Sequence, residues 1–312
     1  MVAASKPDPT HVEVTPSGIE IAYWSLKEPC NRKTRWYEIR KNAKSQWREV
    51  PSVTTILDVL AKSALTWWGQ SVGVQGVLTL FSTGLLVPAR LATGASVLAC
   101  AAPTGPGQSG LVVAGVEQAV ELLKTAKLTT NDVRDSAGRR GQSVHDAFEA
   151  WAKHGLLPDP DIYPEAERGY VQGLRRFIEE SGGRAVANEV MIGSAKHGYA
   201  GRFDVHIEYP EDVEIIVHHT PVRGEKRAPL EAGTYLDDLK TSKSPYPSHA
   251  LQLEAYELAA IECGYEPTKG RGVIHVDSEG NYKRVPCNAT AKDFIQILRT
   301  HKTMSKSKEW LG

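Results

Sequence analysis

The chain has 312 residues, long enough for one elaborated domain or two modest ones. With 37 basic and 37 acidic residues the formal net charge is zero, which excludes a strongly basic protein that coats polyanions. Any nucleic-acid surface must therefore be a local basic patch on a chain whose 41% hydrophobic content supports a sizeable core.

The N-terminus, the cysteines and the hydropathy favour a cytoplasmic protein. The first residues lack the apolar segment of a signal peptide, and the four cysteines form no CxxC pair, which argues against zinc and against an iron–sulfur cluster. The most apolar stretch, residues 72–113, is interrupted too often to supply the roughly 20 apolar residues of a membrane helix. We interpret it as packed helical material with a loop around residues 102–110, and we expect no membrane association.

The N-terminal pattern predicts a small β region over residues 11–55 with a turn at 16–18. Residues 51–57 lead into a helix, and helical patterning continues through Trp67 and Trp68. These two tryptophans could stack on bases, but packing within a helix is the favoured interpretation.

The rest of the chain alternates between helical and strand periodicity. Helical spacing runs over residues 116–153, with a cap at His154-Gly155, and again over 165–181. The strands are predicted at residues 185–192, 199–209, 214–219 and 233–240, with a hairpin turn at 196–198 and a charged loop over 221–229. A helix over 247–263, a hairpin over 272–285 and a closing helix over 291–300 complete an α/β pattern.

Asp238 and Lys240 are the first candidates for chemistry. Residues two apart in a strand share a face, so these side chains point the same way and Asp237 points opposite. Burying them together is unfavourable unless they are paired or used. An ordinary ion pair on an exposed strand gives the same pattern and is, for this motif alone, the simpler explanation.

Asp204 and Glu189 add two carboxylates from neighbouring predicted strands. Asp204 follows Gly201, where a small residue lets another group approach the backbone, although acids on such strands often only face water. Carboxylates with a lysine suit a Mg²⁺ site, because this ion prefers hard oxygen ligands. His145 lies beside an apolar helical stripe, where a lone histidine is more often structural than a ligand.

The order of these motifs resembles the PD-(D/E)XK nuclease superfamily. The residues that carry the resemblance are Gly141-Gln-Ser-Val-His145, Glu189, Gly201-Arg-Phe-Asp204, Asp238-Leu-Lys240-Thr and Gln252-Leu-Glu-Ala-Tyr256. Within the superfamily the chain is similar to RecB-like and CRISPR-associated exonucleases, especially those encoded by bacteriophages of actinobacteria. The resemblance covers residues 36–285, except 72–115.

The resemblance implies a role for each motif residue. Asp204 and Asp238 would bind one or two Mg²⁺ or Mn²⁺ ions, with His145 as a third ligand and Glu189 as an outer one. Lys240 would position the attacking water and offset charge on the phosphate. Gln252 and Tyr256 would line the site and hold Lys240 or the DNA.

Two departures from the family stand out. The segment between Asp204 and Asp238 is longer than the family's hairpin, so we interpret residues 213–230 as an insertion. The cysteines lack the spacing of the iron–sulfur cluster that some relatives carry, so no such cluster is expected.

Basic residues near these motifs are candidate phosphate contacts. They are Arg139, Arg140, Arg202 and Lys243. Lys243 is the best of the set because it follows Lys240 closely in the chain.

We therefore expect an α/β protein with a restriction-endonuclease-like core: a central mixed sheet flanked by helices, plus an N-terminal β/helical elaboration. The expected domains are an elaboration over 1–115, a nuclease core over 116–300 and a basic tail over 301–312. The expected function is a metal-dependent DNA exonuclease in phage DNA recombination or processing, with DNA and a recombinase or single-strand-binding protein as partners. A structure-specific endonuclease and a catalytically silent DNA-binding or assembly module remain alternatives.

Overall fold

The computed structural model describes residues 8–30, 33–60, 72, 75–80, 82–83, 85, 87–90, 96–105, 108–113, 116–220 and 224–307. Contacts divide the chain into one compact unit formed by residues 1–60 and 140–312 and a second formed by residues 61–139. The predicted domain boundary, between residues 115 and 116, separates an N-terminal elaboration from a nuclease core. The division into compact units does not test that boundary, which stays a prediction.

An antiparallel four-stranded sheet begins the first unit, where a small β region was predicted. Its strands, in both chain and spatial order, are β1 (His11–Val14), β2 (Glu20–Cys30), β3 (Lys33–Arg40) and β4 (Arg48–Val50). Gly18, in the predicted turn between β1 and β2, has a φ of +82°, which glycine adopts without strain. The short helix α1 (Val53–Leu57) follows, and the Ser52 side chain caps it by accepting a hydrogen bond from the Thr55 amide.

The second unit contains three antiparallel strands, β5 (Val87–Arg90), β6 (Ser96–Gly105) and β7 (Gln108–Val113), and the helix α2 (Val116–Thr125). The helical interpretation of residues 72–113 is therefore wrong for their second half. Short apolar runs fit strands and buried helices equally well, so their periodicity could not decide between them. Trp67 and Trp68 lie outside the described residues. Within the described part of the chain, no helix is long and apolar enough to cross a membrane.

The remaining elements follow in chain order. They are α3 (Thr130–His154), α4 (Glu165–Ser181), β8 (Arg184–Ser194), β9 (Tyr199–Tyr209), β10 (Val213–Thr220), β11 (Gly224–Leu230), β12 (Gly233–Lys240), α5 (Pro247–Glu262), β13 (Gly270–Val276), β14 (Tyr282–Pro286) and α6 (Ala291–Ser305). The predicted helix over 116–153 is two helices, and the closing helix continues into the predicted tail as far as Ser305.

A five-stranded mixed sheet lies at the centre of the first unit and confirms the α/β class. Its order is β14-β13-β12-β9-β8, and within it β12 and β13 are parallel while the other neighbours are antiparallel. The helix α5 connects the parallel pair, as a parallel connection requires. The motif strands β9 and β12 are therefore direct neighbours in the middle of the sheet.

The charged segment before β12 is a strand and not the predicted loop. Residues 224–230 form β11, which pairs with β10 as a separate two-stranded sheet. Its charged residues have partners, since Glu225 pairs with Arg176 and Arg227 pairs with Glu180 of α4. Charged residues that pair with a neighbouring helix are compatible with a strand, and this pairing is not visible in the sequence.

Two hydrophobic clusters fill the space on either side of the central sheet. Leu236 and Val273 join the cluster with the N-terminal sheet, α1, α5 and α6. Tyr235, Leu239 and Ile274 join the cluster with α3, α4 and the β10–β11 hairpin. Side chains thus alternate between the clusters along β12 and β13, which fixes the register of both strands.

A buried ion pair joins the central strands on the side opposite Asp238, where the sequence placed Asp237. Arg284 of β14 donates to both carboxylate oxygens of Asp237, at 2.7 Å and 3.0 Å, and the Tyr209 hydroxyl donates at 3.2 Å. Gly272, between them on β13, leaves the room, because a Cβ there would lie 2.6 Å from Arg284 Cζ. Burial opposes the charge of Arg284, but Asp237 outweighs burial and raises the pKa of the guanidinium.

We expect Arg284→Met to lower the free energy of unfolding by about 3–5 kcal/mol, because it leaves the Asp237 carboxylate buried without its cation. The double variant Asp237→Leu/Arg284→Met should recover most of this loss. The measurement is urea-induced unfolding followed by circular dichroism. The control is Arg184→Met, which breaks an exposed pair with Glu208 and should change stability by less than about 1 kcal/mol. Equal effects of the two single variants would contradict the structural role of the buried pair.

Candidate metal centre

The candidate site begins where β9 and β12 separate. Their regular pairing ends at Val205 and Asp237. Beyond that point the Leu239 amide donates to Asp204 Oδ2 at 3.0 Å, so a side-chain carboxylate takes the place of a main-chain acceptor. The Asp204 carboxylate is thereby held at the mouth of the gap between the two strands.

Glu189 lies across from Asp204 on β8, because its neighbours Asn188 and Val190 pair with Val205 and Phe203. Its φ of +53° places it in the left-handed region, which costs a residue with a side chain about 1–3 kcal/mol. Two acids directly opposite each other repel as well. A strained backbone that holds one carboxylate against another marks this position as a candidate ligand.

His145 reaches the same point from α3. Gly141, one turn earlier, would place a Cβ only 3.5 Å from Thr241 Oγ1, so the helix passes close to the end of β12. His145 Nδ1 lies 3.5 Å from Asp204 Oδ2. Among the described residues, His145, Glu189 and Asp204 form the group able to share a metal ion, with one ligand atom of each within 4.8 Å of the others.

Asp238 and Lys240 stand beside this cluster. Their side chains form an ion pair, with the Asp238 side chain 1% exposed and that of Lys240 21% exposed. Neither carboxylate oxygen of Asp238 accepts a well-formed hydrogen bond. Asp238 is therefore not one of the three clustered ligands, but it has buried acceptor capacity that a cation could use.

Gln252 and Tyr256 cover the other side of the gap from α5. They are one helical turn apart, and the Gln252 amide donates to the Tyr256 hydroxyl at 3.0 Å. The Tyr256 ring occupies the space over Gly201, where a Cβ would lie 2.6 Å from the ring. The glycine that sequence analysis singled out for a close approach is thus used by Tyr256.

The four basic residues predicted to contact phosphate have different surroundings. Arg202 is nearest the cluster, with Nη1 3.4 Å from Glu189 Oε2. Lys243 is exposed and lines a cavity of about 460 Å³ beside β13 and β14. Arg140 stacks over the Tyr170 ring at 4.7 Å, and exposed Arg139 is the last residue of the second unit.

His249, on α5, was missed by sequence analysis. Burial, Lys240 and His275 lower its pKa to about 4, so it is neutral at physiological pH. Its Nδ1 accepts a hydrogen bond from the Tyr246 amide at 3.2 Å. The signal that could have revealed it is its position one helical turn before Gln252, on the same side of the helix.

Several acidic side chains are crowded in a poorly solvated volume. Burial and Asp204 raise the pKa of Glu189, against the effect of Arg202. Burial also raises the pKa of Asp238 to about 6, helped by Asp204 and opposed by Lys240. Burial opposes the charge of Lys240, but Asp238 and Asp204 outweigh it and raise its pKa, so the ammonium is retained. The cations Lys240 and Arg202 face the carboxylates of Glu189, Asp204 and Asp238.

The donor set fits a divalent cation. Carboxylate oxygens with one imidazole are ligands of Mg²⁺, Mn²⁺ and related ions, and the ion's charge would relieve the repulsion described above. The buried Asp238 carboxylate is paired with Lys240 and makes no further hydrogen bond. No family model fits the chain, and no curated protein is significantly similar to it.

We expect Asp204→Asn and Glu189→Gln each to weaken Mn²⁺ binding by at least about tenfold, because each removes a charged ligand of the cluster. Isothermal titration calorimetry measures the affinity. Glu208→Gln, on the same strand as Asp204 but outside the cluster, is the control and should bind like the unmodified protein. Unchanged affinity in both cluster variants would show that the ion binds elsewhere.

Asp238→Asn should stabilise the metal-free protein at neutral pH. A raised pKa means that the folded chain holds the Asp238 proton more tightly than the unfolded chain does, so stability is lost as pH rises through about 6. We therefore expect the variant to have the higher Tm in EDTA near pH 7. The difference should shrink as pH falls below about 6. A difference in Tm that is constant over this pH range, or of opposite sign, would contradict the raised pKa of Asp238.

Proposed function

We propose that this protein is a Mg²⁺- or Mn²⁺-dependent deoxyribonuclease of the PD-(D/E)XK type. The observation that carries the proposal is the cluster of His145, Glu189 and Asp204 beside the buried pair of Asp238 and Lys240. An ordinary structural ion pair does not require three further ligand-type groups around it. The mixed sheet with helices on both sides supports a restriction-endonuclease-like core.

Each of these residues has a distinct role in the proposed phosphodiester hydrolysis. His145, Glu189 and Asp204 would hold the ion, with Asp238 as the adjoining carboxylate. A bound ion supplies charge stabilisation for the phosphate oxygens and makes water a better nucleophile. Because the pKa of Lys240 is raised, its ammonium stays charged and acts as a donor that orients water or phosphate, not as a base.

Tyr256 and Gln252 keep this arrangement in place. Burial and the neighbouring Asp238 raise the pKa of Tyr256, so its hydroxyl stays protonated. Its ring, packed over Gly201, closes one wall of the gap and limits the entry of bulk water. A drier site strengthens the interaction of Lys240 with a phosphate.

Within this activity we propose exonucleolytic degradation of DNA during phage recombination or DNA processing. The proposed location is the cytoplasm of a bacterial host, and the proposed partner is a recombinase or a single-strand-binding protein. This finer assignment rests on the resemblance of the motifs alone. An endonuclease with the same core and a silent DNA-binding or assembly module are the competing functions. The crowded carboxylates disfavour the silent module, because such a cluster is unfavourable to bury without use.

The test is to incubate the protein with Mg²⁺ or Mn²⁺ and end-labelled linear duplex, single-stranded DNA or a closed circle. We expect loss of the linear substrates only, and a decrease of kcat by at least about 100-fold in Lys240→Ala, since a charged donor to the reacting phosphate is removed. Lys292→Ala, an exposed lysine on α6, is the matched control and should retain full activity.

Each alternative gives a different result in this assay. Cleavage of the closed circle would identify an endonuclease. DNA binding without cleavage of any substrate would support the silent module and refute the nuclease.

A further inference from the structure

The cavity of about 460 Å³ that Lys243 lines opens at the C-terminal ends of β12 and β13. We call it the Lys243 cavity, and its lining also includes His219, His275 and Lys283. Nothing in the proposed hydrolysis uses it. In open α/β sheets, ligands bind outside the carboxyl ends of parallel strands, and the volume of this cavity is within the range of ligand sites.

A row of basic side chains connects the Lys243 cavity with the candidate metal centre. Lys240 of β12 pairs in register with His275 of β13, and His275 pairs with Lys283 of β14. Paired residues on neighbouring strands project from the same face of a sheet, so these three side chains lie side by side. With neighbouring strands about 4.8 Å apart, the main chain of Lys283 is about 10 Å from that of Lys240.

His275, in the middle of the row, holds the segment that carries Lys243. Its Nε2 donates to the Ser242 carbonyl at 2.6 Å, which fixes the chain directly after β12. Burial and, to a smaller extent, Lys283 lower the pKa of the imidazole, against the effect of the hydrogen bond to Ser242. The ring is therefore neutral at physiological pH, and its N–H is already used. His275 thus positions Lys243, and the positive charge of the row belongs to the lysines.

The two lysines of the cavity have charge to offer a ligand. Within the described part of the chain, neither Lys243 nor Lys283 forms an ion pair or a side-chain hydrogen bond with another residue. Lys240, by contrast, is paired with Asp238. A lysine ammonium is a compact donor that binds phosphate as a point charge. The cavity therefore suits an anion that extends from the position of Lys240.

The acids of the lining are Asp277 and Glu279, both in the turn between β13 and β14. The Asp277 carboxylate accepts from the amides of Glu279 and Asn281, so it closes this turn. Two lysines near two acids make a weak site for a free polyphosphate. A phosphate on a strand that is already bound at the metal centre needs only a modest contact, because the attachment keeps its local concentration high.

We propose that the Lys243 cavity binds a backbone phosphate of the DNA strand whose scissile phosphate lies at the metal centre, with Lys243 and Lys283 as the contacts. That the ligand is DNA rests on the proposed nuclease function. At a rise of about 3.4 Å per nucleotide, the separation of about 10 Å places this phosphate within about three nucleotides of the cut. A backbone contact carries no sequence information, so it sets the register of the strand for any sequence.

The first measurement is binding without cleavage. A fluorescent single-stranded oligonucleotide is titrated with the protein in Ca²⁺ at several salt concentrations, and a gel checks that the strand stays intact. Lys243→Ala and Lys283→Ala should each weaken binding by roughly two- to fivefold, the effect of one partly exposed ion pair. The double variant should lower the slope of log affinity against log salt by about 1, because one phosphate contact is lost.

The second measurement locates the contact. Strands that carry one neutral methylphosphonate linkage are cleaved in Mg²⁺ or Mn²⁺, and the cuts are mapped. We expect cuts at linkages within about three nucleotides on one side of the neutral linkage to decrease roughly two- to fivefold. The double variant should cut the modified and unmodified strands alike at these linkages, because the lysines that meet the missing charge are already absent. A decrease that persists in the double variant would overturn the proposal.

Three controls guard against a folding artefact and a different ligand. Lys283→Arg keeps the charge and should bind DNA like the unmodified protein. Lys292→Ala removes an exposed lysine outside the lining and should have no effect, and the Tm of every variant is measured. Inorganic phosphate should displace the strand no better than chloride at equal ionic strength. Stronger displacement that the double variant abolishes would show that the cavity takes free phosphate, and would overturn the proposal.

The outcomes separate this inference from the nuclease assignment. If the protein cleaves DNA but the folded double variant keeps the affinity and the salt dependence of the unmodified protein, the cavity proposal is wrong and the nuclease stands. If no DNA is cleaved but the double variant loses affinity and salt dependence, the cavity binds DNA and the nuclease is wrong. If the protein does not bind DNA at all, both proposals are wrong.

Discussion

The hydrogen bond from the Leu239 amide to the Asp204 carboxylate is the contact on which the site depends. It occurs where the pairing of β9 and β12 stops, and it satisfies a main-chain donor that would otherwise lose its partner at the centre of a sheet. The same oxygen, Asp204 Oδ2, lies 3.5 Å from His145 Nδ1. The contact at which the two strands stop pairing therefore also holds a candidate metal ligand in place.

The acids around that bond are tolerated because each is held by something else. Arg202 contacts Glu189, Lys240 pairs with Asp238, and Asp204 accepts from the backbone. The raised pKa values of Glu189 and Asp238 show that these contacts do not cancel the effect of burial. An incompletely neutralised group of buried acids lowers stability, and a bound cation would offset that loss.

Period-two patterns predicted many of the strands and which of their residues share a face. The alternation in residues 233–240 predicted that Asp238 and Lys240 share one face of the strand and that Asp237 lies on the other. In the structure Asp238 pairs with Lys240, and Asp237 pairs with Arg284 on the opposite face. Gly201 was recognised as a point of close approach, although the Tyr256 ring that uses it is distant in sequence. Local patterns carry this information because side chains alternate strictly along a strand.

The remaining features depend on pairings that no local pattern contains. The charged residues Glu225 and Arg227 of β11 pair with Arg176 and Glu180 of α4, and Glu189 adopts a left-handed conformation within β8. The apolar segment before residue 113 offered no periodicity that separates short strands from packed helix. The N-terminal segment reaches β9 through the bridge between Ser52 and Ala200, a long-range contact that no local pattern predicts.

The division of the first unit into two chain segments has a consequence for synthesis. Residues 8–60 leave the ribosome well before β8 and β9, the strands they pack against. At about 5–20 residues per second, the intervening chain of residues 61–200 takes roughly 7–30 s to translate. During that interval the apolar side of the N-terminal sheet, with Ile21 and Ile39, has no native surface to cover it. A nascent chain of this kind offers a chaperone a long opportunity to bind, and the three residues of the candidate metal centre come together only once β9 has been made.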